Sequence, residues 1–486
     1  MKRQSPNMKH IPLIACCLLL AVAASCVNAT TMQSKENYKI MVISDPHLLA
    51  PSLYDDGKAA QQLEKSDMKL VTYSDHIMKI MVDVIIAEEP QVLLISGDLT
   101  LNGERASHEQ LVKHLQRLQQ AGVRTLVIPG NHDVMCPYSK QYKGDEPTAV
   151  SNITSEEFAA IYHDFGYDND SHRDPNSLSY ICEPFPGLML LGIDSNIYAA
   201  GRDKEVVYHT DGAVKPETLE WIRQQLAAAK QNGKRVIAMM HHHLVEHIDG
   251  EAQLLPNYIA SNHNEVAQML QEGGVKVVFT GHLHITDAAS DDGITDVSTG
   301  STTTYPMALR TATIDPRLDS MRIETRIFDS VDLIELGNAK IKNSAPALAG
   351  IIARRLWPRM ESRLKQFEPL LSEQGIDTSR LPRDARDMAQ LITKHLREPL
   401  TRSLMTVSRG GEDPAQAQAI VEAIKQGVQE MMTEIFGDGG ESVASFLLAN
   451  LMPRVEPTLR SALEDINQVG TSEQSTTHDH RLTIKL

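Results

Sequence analysis

Five polar clusters stand out because each directly follows a short apolar run. In chain order they are Asp45-Pro46-His47, Gly97-Asp98, Gly130-Asn131-His132-Asp133, His241-His242-His243 and Gly281-His282-Leu283-His284. Together they offer carboxylate, amide and imidazole ligands and no thiolate, a donor set that suits Mn, Fe or Zn rather than a structural zinc site. These side chains are too many for one tetrahedral ion and suit two ions that share a carboxylate. A pair of ions held in this way can clamp the attacking and leaving oxygens of a phosphoryl group.

The apolar runs that precede the clusters predict the strands of an α/β domain. They alternate with segments of helical spacing, a pattern typical of a layered α/β fold. The predicted strands are Lys39–Ser44, Val92–Ser96, Val123–Ile128, Leu188–Ile193, Arg235–Met240, Val275–Thr280 and Met321–Phe328, and the predicted helices are 74–88, 107–122, 215–231 and 262–272. Because the carboxyl ends of strands in such sheets converge on one edge, we expect the five clusters to meet there.

The pattern becomes helical in the C-terminal part of the chain. The predicted helices are Ala345–Leu371, Asp387–Met405, Asp413–Phe436 and Glu441–Leu463. Asp413 supplies an N-cap and Pro414 suits the first helical position. We therefore expect an added all-α domain over 335–470, followed by a polar tail over 471–486 in which Thr471–His480 is loose. The apolar spacing of these helices indicates a packing core and carries no chemistry.

The composition is that of a globular protein. Of 486 residues, 47 are Lys or Arg and 63 are Asp or Glu, which gives a formal charge of −16, and 42% are hydrophobic. These values exclude a collagen-like chain, a disordered chain and a polytopic membrane protein. The acidic balance argues against a broad nucleic-acid-binding surface, which requires clustered Lys and Arg. A local phosphate site is compatible with this charge if metal ions supply the positive charge.

Residues 1–26 predict an export signal. The basic residues at its start are Lys2, Arg3 and Lys9. The apolar run over 11–24 has the length of a signal peptide and is short for a membrane span. The small residues before Cys26 are similar to a bacterial lipobox, although Ala23 stands where that motif prefers Leu. Lipidation of Cys26, plain cleavage near Ala29 and an uncleaved anchor all stay open, and we expect a periplasmic or cell-envelope location.

Two cysteines lie in the body of the chain, Cys136 and Cys182. In an oxidising compartment they can form a disulfide, or they can remain two separate thiols. The sequence leaves both alternatives open, as it does the oligomeric state.

In their order, the five clusters resemble the full motif set of the calcineurin-like metallophosphoesterases. A single such motif occurs by chance, whereas five in order after apolar strands are specific. The resemblance implies a four-layer α/β/β/α sandwich over 35–330. The stretches 51–58 and 97–104 and a long insertion over about 134–187 look like the exported bacterial branch related to class III cyclic-nucleotide phosphodiesterases. That branch includes Listeria-type proteins with an added C-terminal helical domain.

The resemblance implies a role for each cluster. The ligands implied for one divalent transition metal ion are Asp45, His47, Asp98 and His284. Those implied for the other are Asp98, Asn131, His241 and His282, so Asp98 would bridge. A hydroxide acidified by the metals would be the nucleophile, and His132 would donate a proton to the leaving group. Asp133 would orient its neighbours.

Other features leave the details open. His243 and His247 either contact substrate or lie exposed on the loop after a strand, and we favour exposure because a metal site needs one His from this loop. Leu101 stands where purple acid phosphatases place a Tyr iron ligand.

The expected partner is a small phosphodiester such as a cyclic nucleotide, and attachment to a membrane is expected only through a lipid anchor. Phosphomonoesters, nucleotides and lipid headgroups on the same site are alternatives, and a non-catalytic metal-binding module is a remote one.

Overall fold

A computed structural model of the protein describes residues 37–198, 210–328, 331–373, 379, 381–411, 413–464 and 481–486. The predicted export signal over 1–26, with Cys26, lies outside the described residues, and so does the stretch 465–480. None of the helices in the described ranges combines the length and the apolar composition of a bilayer span.

Two large sheets and one small pair of strands form the β-structure of the described residues. In chain order the strands are β1 (Tyr38–Ile43), β2 (Val92–Ile95), β3 (Arg124–Val127), β4 (Lys140–Gln141), β5 (Thr148–Ala149), β6 (His172–Arg173), β7 (Tyr180–Phe185), β8 (Leu188–Ile193), β9 (Arg235–Met240), β10 (Val277–Thr280), β11 (Asp287–Asp291), β12 (Ile294–Ser298), β13 (Ala308–Ile314), β14 (Ser320–Ile327) and β15 (Arg481–Lys485). One sheet has the order β15-β14-β13-β1-β2-β3 and the other β11-β12-β10-β9-β8-β7-β6. In the first sheet β1, β2 and β3 are parallel, and in the second β8, β9, β10 and β12 are parallel. The carboxyl ends within each parallel set therefore lie along one edge.

Helices cover the outer faces of the two sheets. In chain order the helices are α1 (Lys58–Ser66), α2 (Ser74–Glu88), α3 (Arg105–Gln120), α4 (Ser155–Ile161), α5 (Pro216–Gln231), α6 (Glu251–Leu254), α7 (His263–Glu272), α8 (Val331–Glu373), α9 (Ala385–Val407), α10 (Pro414–Phe436) and α11 (Gly440–Glu464). Along β9, Ile237 and Met239 belong to the core shared with the first sheet, whereas Val236 and Ala238 pack with α5 and α7. This alternation places one core between the sheets and another outside the second sheet.

The predicted four-layer α/β/β/α sandwich is confirmed. Ser74–Glu88, Leu188–Ile193 and Arg235–Met240 have the predicted bounds, and the other predicted elements of the sandwich differ by one or two residues at their ends. The sequence reasoning missed β11, β12 and β13, and it read the stretch 134–187 as an insertion although β7, a strand of the second sheet, lies in it. Polar residues interrupt β11 and β12, which weakens the apolar signal of a strand.

Helices α8 to α11 form an all-α region with cores of its own. Apolar side chains of α8, α9 and α10 share one core, and α10 and α11 share another. The predicted cap is present, since the Asp413 carboxylate accepts hydrogen bonds from the backbone N–H groups of Ala415 and Gln416. Helix α8 begins at Val331, earlier than the predicted 345.

The stretch Thr471–His480, predicted to be loose, lies outside the described residues, whereas the end of the predicted polar tail over 471–486 forms a strand of the first sheet. Strand β15 pairs antiparallel with β14 at the edge of the first sheet. Leu482 and Ile484 are buried in the core between the sheets, while Arg481, Thr483 and Lys485 are exposed. The helical region is therefore inserted between two adjacent strands of the sandwich. The alternation of apolar and polar residues in β15 covers only five residues and follows a polar stretch, so it did not predict a strand.

The structure keeps Cys136 and Cys182 as two separate thiols. Both side chains are buried, and burial raises the pKa of each thiol to about 12. Because the thiolate is the reactive form, both thiols are inert in the folded protein.

Candidate metal centre

Sharp turns follow the strands that carry the polar clusters. The cluster residues that have a left-handed backbone, with φ between 41° and 69°, are Asp45, His47, Asp98, His282 and His284. This conformation is uncommon for residues other than glycine and costs free energy, on the order of 1 kcal/mol or more for each residue. Such a concentration of strained turns persists only where the surrounding structure holds it, and it is characteristic of functional sites.

Two glycines in the clusters allow the loops to approach each other. A Cβ atom on Gly97 would lie 2.4 Å from Nδ1 of His241, and one on Gly130 would lie 2.1 Å from Oδ1 of Asp98. Any other residue at these positions would displace a polar side chain of the site. The glycines of the clusters therefore follow from close packing of the loops.

The structure brings four of the predicted ligands together in a first group. The side chains of Asp45, His47, Asp98 and His284 each offer one ligand atom within 4.8 Å of the others. Nε2 of His47 lies 3.0 Å from Nε2 of His284, and the latter lies 3.3 Å from Oδ1 of Asp45. Nε2 of His47 is also 3.6 Å from Oδ2 of Asp98. Imidazole and carboxylate lone pairs that converge in this way fit a divalent cation.

A second group shares Asp98 with the first and adds His241 and His282. Nε2 of His241 lies 3.4 Å from Oδ1 of Asp98 and 3.1 Å from Oδ1 of Asn131. The other nitrogen of His241 donates to the Ser96 carbonyl at 2.8 Å, and Nε2 of His282 donates to the Asn257 carbonyl at 2.9 Å. These bonds fix the tautomers and leave one nitrogen of each ring for ligation.

The charges of the second group support each other. Burial opposes ionisation of Asp98, but the adjacent His241 and His132 hold the pKa of this carboxyl well below its usual value. Burial lowers the pKa of His241, and Asp98 more than offsets this effect and raises it to about 9. The Asp98 carboxylate is therefore ionised. Without a metal ion, the protonated ring of His241 supplies the positive charge beside it.

Asp133 ties together two of the loops that carry ligands. Its carboxylate accepts hydrogen bonds from the backbone N–H groups of Leu99, Thr100 and Gly130 at 2.8–2.9 Å. Burial, followed by the charge of Asp98, raises the pKa of this carboxyl to about 7. Asp133 thus holds the turns after β2 and β3 in one arrangement.

His132 stands at the open side of the cluster, with 23% of its side chain exposed. Its Nδ1 lies 3.0 Å from Oδ1 of Asn102, and its Nε2 lies 4.0 Å from Oδ2 of Asp98. The backbone N–H of His132 donates to Asp98 at 2.9 Å. Asn102 therefore occupies Nδ1, and Nε2 is the atom that faces the site.

The expectation that His243 and His247 are exposed is wrong. Both are buried, and their rings lie 4.2 Å apart between centroids. His243 bonds Glu251 at 2.7 Å and Ser298 at 3.0 Å. With their polar atoms directed into the protein, these two residues have no surface for direct contact with substrate, because later segments of the chain cover the loop.

Asp296 is a supporting residue that the sequence reasoning missed. Its carboxylate accepts from the backbone N–H groups of Leu244 and Val245 at 2.6 and 3.1 Å and from the Thr280 hydroxyl at 2.5 Å. It therefore connects the loop after His241 to the end of β10, directly before the loop that carries His282 and His284. An aspartate flanked by the β-branched residues Thr295 and Val297 was the signal available in the sequence.

His247 lies between Asp296 and a second buried carboxylate, Asp287. Its Nδ1 is 2.5 Å from Oδ2 of Asp287, and its Nε2 is 3.5 Å from Oδ2 of Asp296. Burial lowers the pKa of His247, but the two aspartates outweigh burial and hold it well above the ordinary 6.5. A charged His247 thus balances two buried carboxylates.

Replacing His247 with Gln removes the positive charge between these two buried carboxylates, so the free energy of unfolding should fall by about 3–5 kcal/mol. Because the folded pKa of His247 is raised, its contribution is fully present below pH 6.5 and is lost as the pH rises through the folded pKa. In urea unfolding experiments, His247→Gln should therefore lower the free energy of unfolding more at about pH 6 than at about pH 9. The exposed His76→Gln is the control, and a loss that is the same at both pH values would contradict the charge pairing.

The chain is similar to known proteins over its sandwich region. Residues 38–286 match the family model described as "Calcineurin-like phosphoesterase". The chain is similar to a "Probable cyclic nucleotide phosphodiesterase" of Rhodococcus erythropolis, with 24% identity over 271 residues, which are 55% of this chain and 71% of the relative. It is also 25% identical over 202 residues to a human protein named as a serine/threonine-protein phosphatase, of which it spans 54%, and those residues are 40% of this chain.

Among solved structures, a dimetal phosphatase from Danio rerio has a TM-score of 0.43 and 18% identity, and the match covers 60% of this chain and 96% of that one. The family match itself extends over more than half of the 486 residues and includes all seven predicted ligand positions. The chain therefore belongs to the calcineurin-like phosphoesterase family, whose members are metal-dependent hydrolases of phosphoric esters.

Proposed function

We propose that the protein is a binuclear-metal phosphodiesterase that hydrolyses small diesters such as cyclic nucleotides. The observation that carries this proposal is the sharing of Asp98 between two groups of ligand atoms. A carboxylate in this position suits two ions held close together, an arrangement used for displacement at phosphorus. The name of the Rhodococcus relative supports the choice of a cyclic nucleotide.

The proposed ligands divide between two divalent ions. The residues for one ion are Asp45, His47, Asp98 and His284, and those for the other are Asp98, Asn131, His241 and His282. The ions, Mn, Fe or Zn, would supply Lewis-acid charge for the phosphoryl oxygens and activate water. The protein contributes the fixed geometry, because Asp133 and Asp296 hold the ligand loops.

His132 is the proposed proton donor to the leaving alkoxide. Asn102 binds its Nδ1, so the proton would be transferred from Nε2 on the exposed side of the ring. Burial lowers the pKa of His132, partly offset by Asp98. An anionic phosphoryl group beside the ring would raise that pKa and favour the protonated form needed for donation.

Hydrolysis of phosphomonoesters at the same site is the second candidate. The human relative, named as a protein phosphatase, favours it. The ligand cluster does not discriminate, because the walls around a shared metal centre determine the substrate. The ratio of the rates on bis(p-nitrophenyl) phosphate and p-nitrophenyl phosphate separates the two, and a ratio in favour of the monoester would support this candidate.

Asp98→Asn should lower the rate of hydrolysis of bis(p-nitrophenyl) phosphate with Mn²⁺ by about 10³-fold or more. The substitution removes the negative charge that is proposed to bind both metal ions. Asp145→Asn is the matched control, since that side chain is 73% exposed. Elemental analysis should show a lower metal content in Asp98→Asn. Turnover at the wild-type level in this variant would contradict the proposed centre.

His132→Asn should lower kcat by about 10²- to 10⁴-fold on a diester with an alkoxide leaving group, such as a cyclic nucleotide. The loss on bis(p-nitrophenyl) phosphate should be much smaller, because nitrophenolate leaves without a proton. The control is His163→Asn, whose side chain is 55% exposed. Equal losses on both substrates would argue against proton donation.

We also propose that the protein is exported to the periplasm or cell envelope, on the basis of the basic and apolar segments in residues 1–26. Mass spectrometry of the protein from its native cell envelope should find the N-terminus at a lipidated Cys26 or near Ala29. Recovery of the intact segment 1–26 would contradict export with cleavage.

A further inference from the structure

The stretch of chain between helices α6 and α7 reaches the ligand cluster at Tyr258. The centroid of the Tyr258 ring lies 4.9 Å from that of the His282 ring, and the two ring planes are inclined by 40°. The carbonyl oxygen of the preceding residue, Asn257, accepts the hydrogen bond from Nε2 of His282. Tyr258 therefore touches a proposed metal ligand with its own ring, and the neighbouring carbonyl holds the same ligand.

The backbone at Tyr258 is fixed to the loop that carries His241. The N–H of His243 donates to the Tyr258 carbonyl at 3.0 Å, and the N–H of Ala260 donates to the His243 carbonyl at 3.0 Å. His243 is buried and follows the proposed ligand His241 by two residues. This pairing of two loops keeps Tyr258 in one position relative to the ligands.

Part of the Tyr258 side chain remains open to solvent. The residue is neither buried nor fully exposed, whereas His282, against which it packs, is buried. Within the described part of the chain, no side chain or carbonyl bonds the phenol oxygen of Tyr258. A ring that contacts a metal ligand and still reaches solvent lies at the rim of the site. There it offers an apolar face to a planar group.

Two side chains of the helical region hold the stretch that leads to this rim. Nη1 of Arg355 in α8 donates to the Leu254 carbonyl, at the end of α6, at 2.8 Å. The buried hydroxyl of Ser461 in α11 accepts a hydrogen bond from the N–H of Asp249 at 2.9 Å. The helical region thereby braces the chain that precedes Tyr258.

We propose that Tyr258 packs against the planar base of a nucleotide whose phosphoryl group lies at the metal centre, and that Arg355 is a positioning residue for this contact. The inference rests on the proposed function, since it concerns the substrate of that same site. In a nucleotide the sugar separates the base from the phosphorus. At the site the His282 ring similarly separates Tyr258 from the other ligands.

The proposed contact narrows the substrate to esters that carry a flat aromatic group. Stacking on an aromatic side chain is favourable for every base, because each base presents a π face. The site should therefore favour nucleotides over diesters of small alcohols and should discriminate little among the bases.

The test uses the full chain loaded with Mn²⁺ and two substrates, adenosine 2′,3′-cyclic phosphate and glycerol 1,2-cyclic phosphate. Both contain the same five-membered cyclic ester, whereas only the first carries a base. Tyr258→Leu keeps an apolar side chain at this position and removes the aromatic face. Its kcat/KM should fall by about 5- to 100-fold on the adenosine ester and by less than about twofold on the glycerol ester.

Two further variants control this measurement. Tyr258→Phe should restore most of the rate on the adenosine ester, because it restores the ring. Tyr73→Leu is the matched control, at a tyrosine that is 39% exposed. Equal losses of Tyr258→Leu on the two esters, or a lower Mn²⁺ content, would show that Tyr258 only packs against His282 and would overturn the proposal. An unchanged kcat/KM on the adenosine ester would overturn it as well.

Binding separates this inference from the proposed function. In isothermal titration calorimetry of the Mn²⁺-loaded protein, Tyr258→Leu should raise the Kd for adenosine monophosphate by about 5- to 100-fold and leave the Kd for inorganic phosphate unchanged. If the wild-type protein hydrolysed neither ester, the proposed function would fail, and this titration would still decide the role of Tyr258. Wild-type protein that binds the nucleotide no more tightly than phosphate would contradict the stacking contact.

A double-mutant cycle tests Arg355. Arg355→Met alone should lower kcat/KM on the adenosine ester by about 2- to 5-fold, and it should add little in the Tyr258→Leu background, because the ring that it positions is then absent. Arg354→Met, at an exposed arginine one residue earlier on the same helix, is the control. No effect of Arg355→Met on the wild-type background, or an equal effect in both backgrounds, would remove the positioning role.

Discussion

The arrangement of the site depends on Asp98, a buried carboxylate that faces two groups of imidazole nitrogens. A carboxylate withdrawn from water is costly unless positive charge surrounds it. Here His241 is 3.4 Å away and His47 is 3.6 Å away. The loops that supply those rings must therefore stay close to Asp98, and the strained turns and the two glycines of the clusters follow from that requirement.

The fold meets this requirement with hydrogen bonds that cross from one sheet to the other. The Ser96 carbonyl at the end of β2 accepts from His241 of the second sheet, and the Ser96 hydroxyl donates to the Thr280 carbonyl at 3.2 Å. Asp133 and Asp296 hold the remaining loops through their backbone N–H groups. Such buried networks give rigidity because each member would be left unsatisfied if a loop moved. This rigidity suits a site whose chemistry depends on preorganised charge.

Within the described residues, the helical region contacts loops of the sandwich, one of which follows His284 directly. Ser408 accepts a hydrogen bond from the N–H of Thr286, two residues after His284, and Ser461 accepts one from the N–H of Asp249. Arg409 lies over the ring of Tyr305 at 5.1 Å. Since β15 returns to the edge of the first sheet, the region is attached at both of its ends. A domain attached in this way can shape a substrate pocket while the ligand residues stay within the sandwich.

The sequence by itself determined the features that depend on local spacing. The apolar runs and the polar residues after them predicted an α/β domain whose clusters meet at one edge, followed by a helical region. The resemblance carried by the order of those clusters implied the four-layer sandwich and the seven ligands. Only the tertiary structure decided which polar side chains are buried and what they meet. His247 meets Asp287 although the two are 40 residues apart in the chain, and His241 meets Asn131 across 110 residues. Periodicity reports the face of one element, whereas the partner of a buried charge depends on distant segments that pack over it.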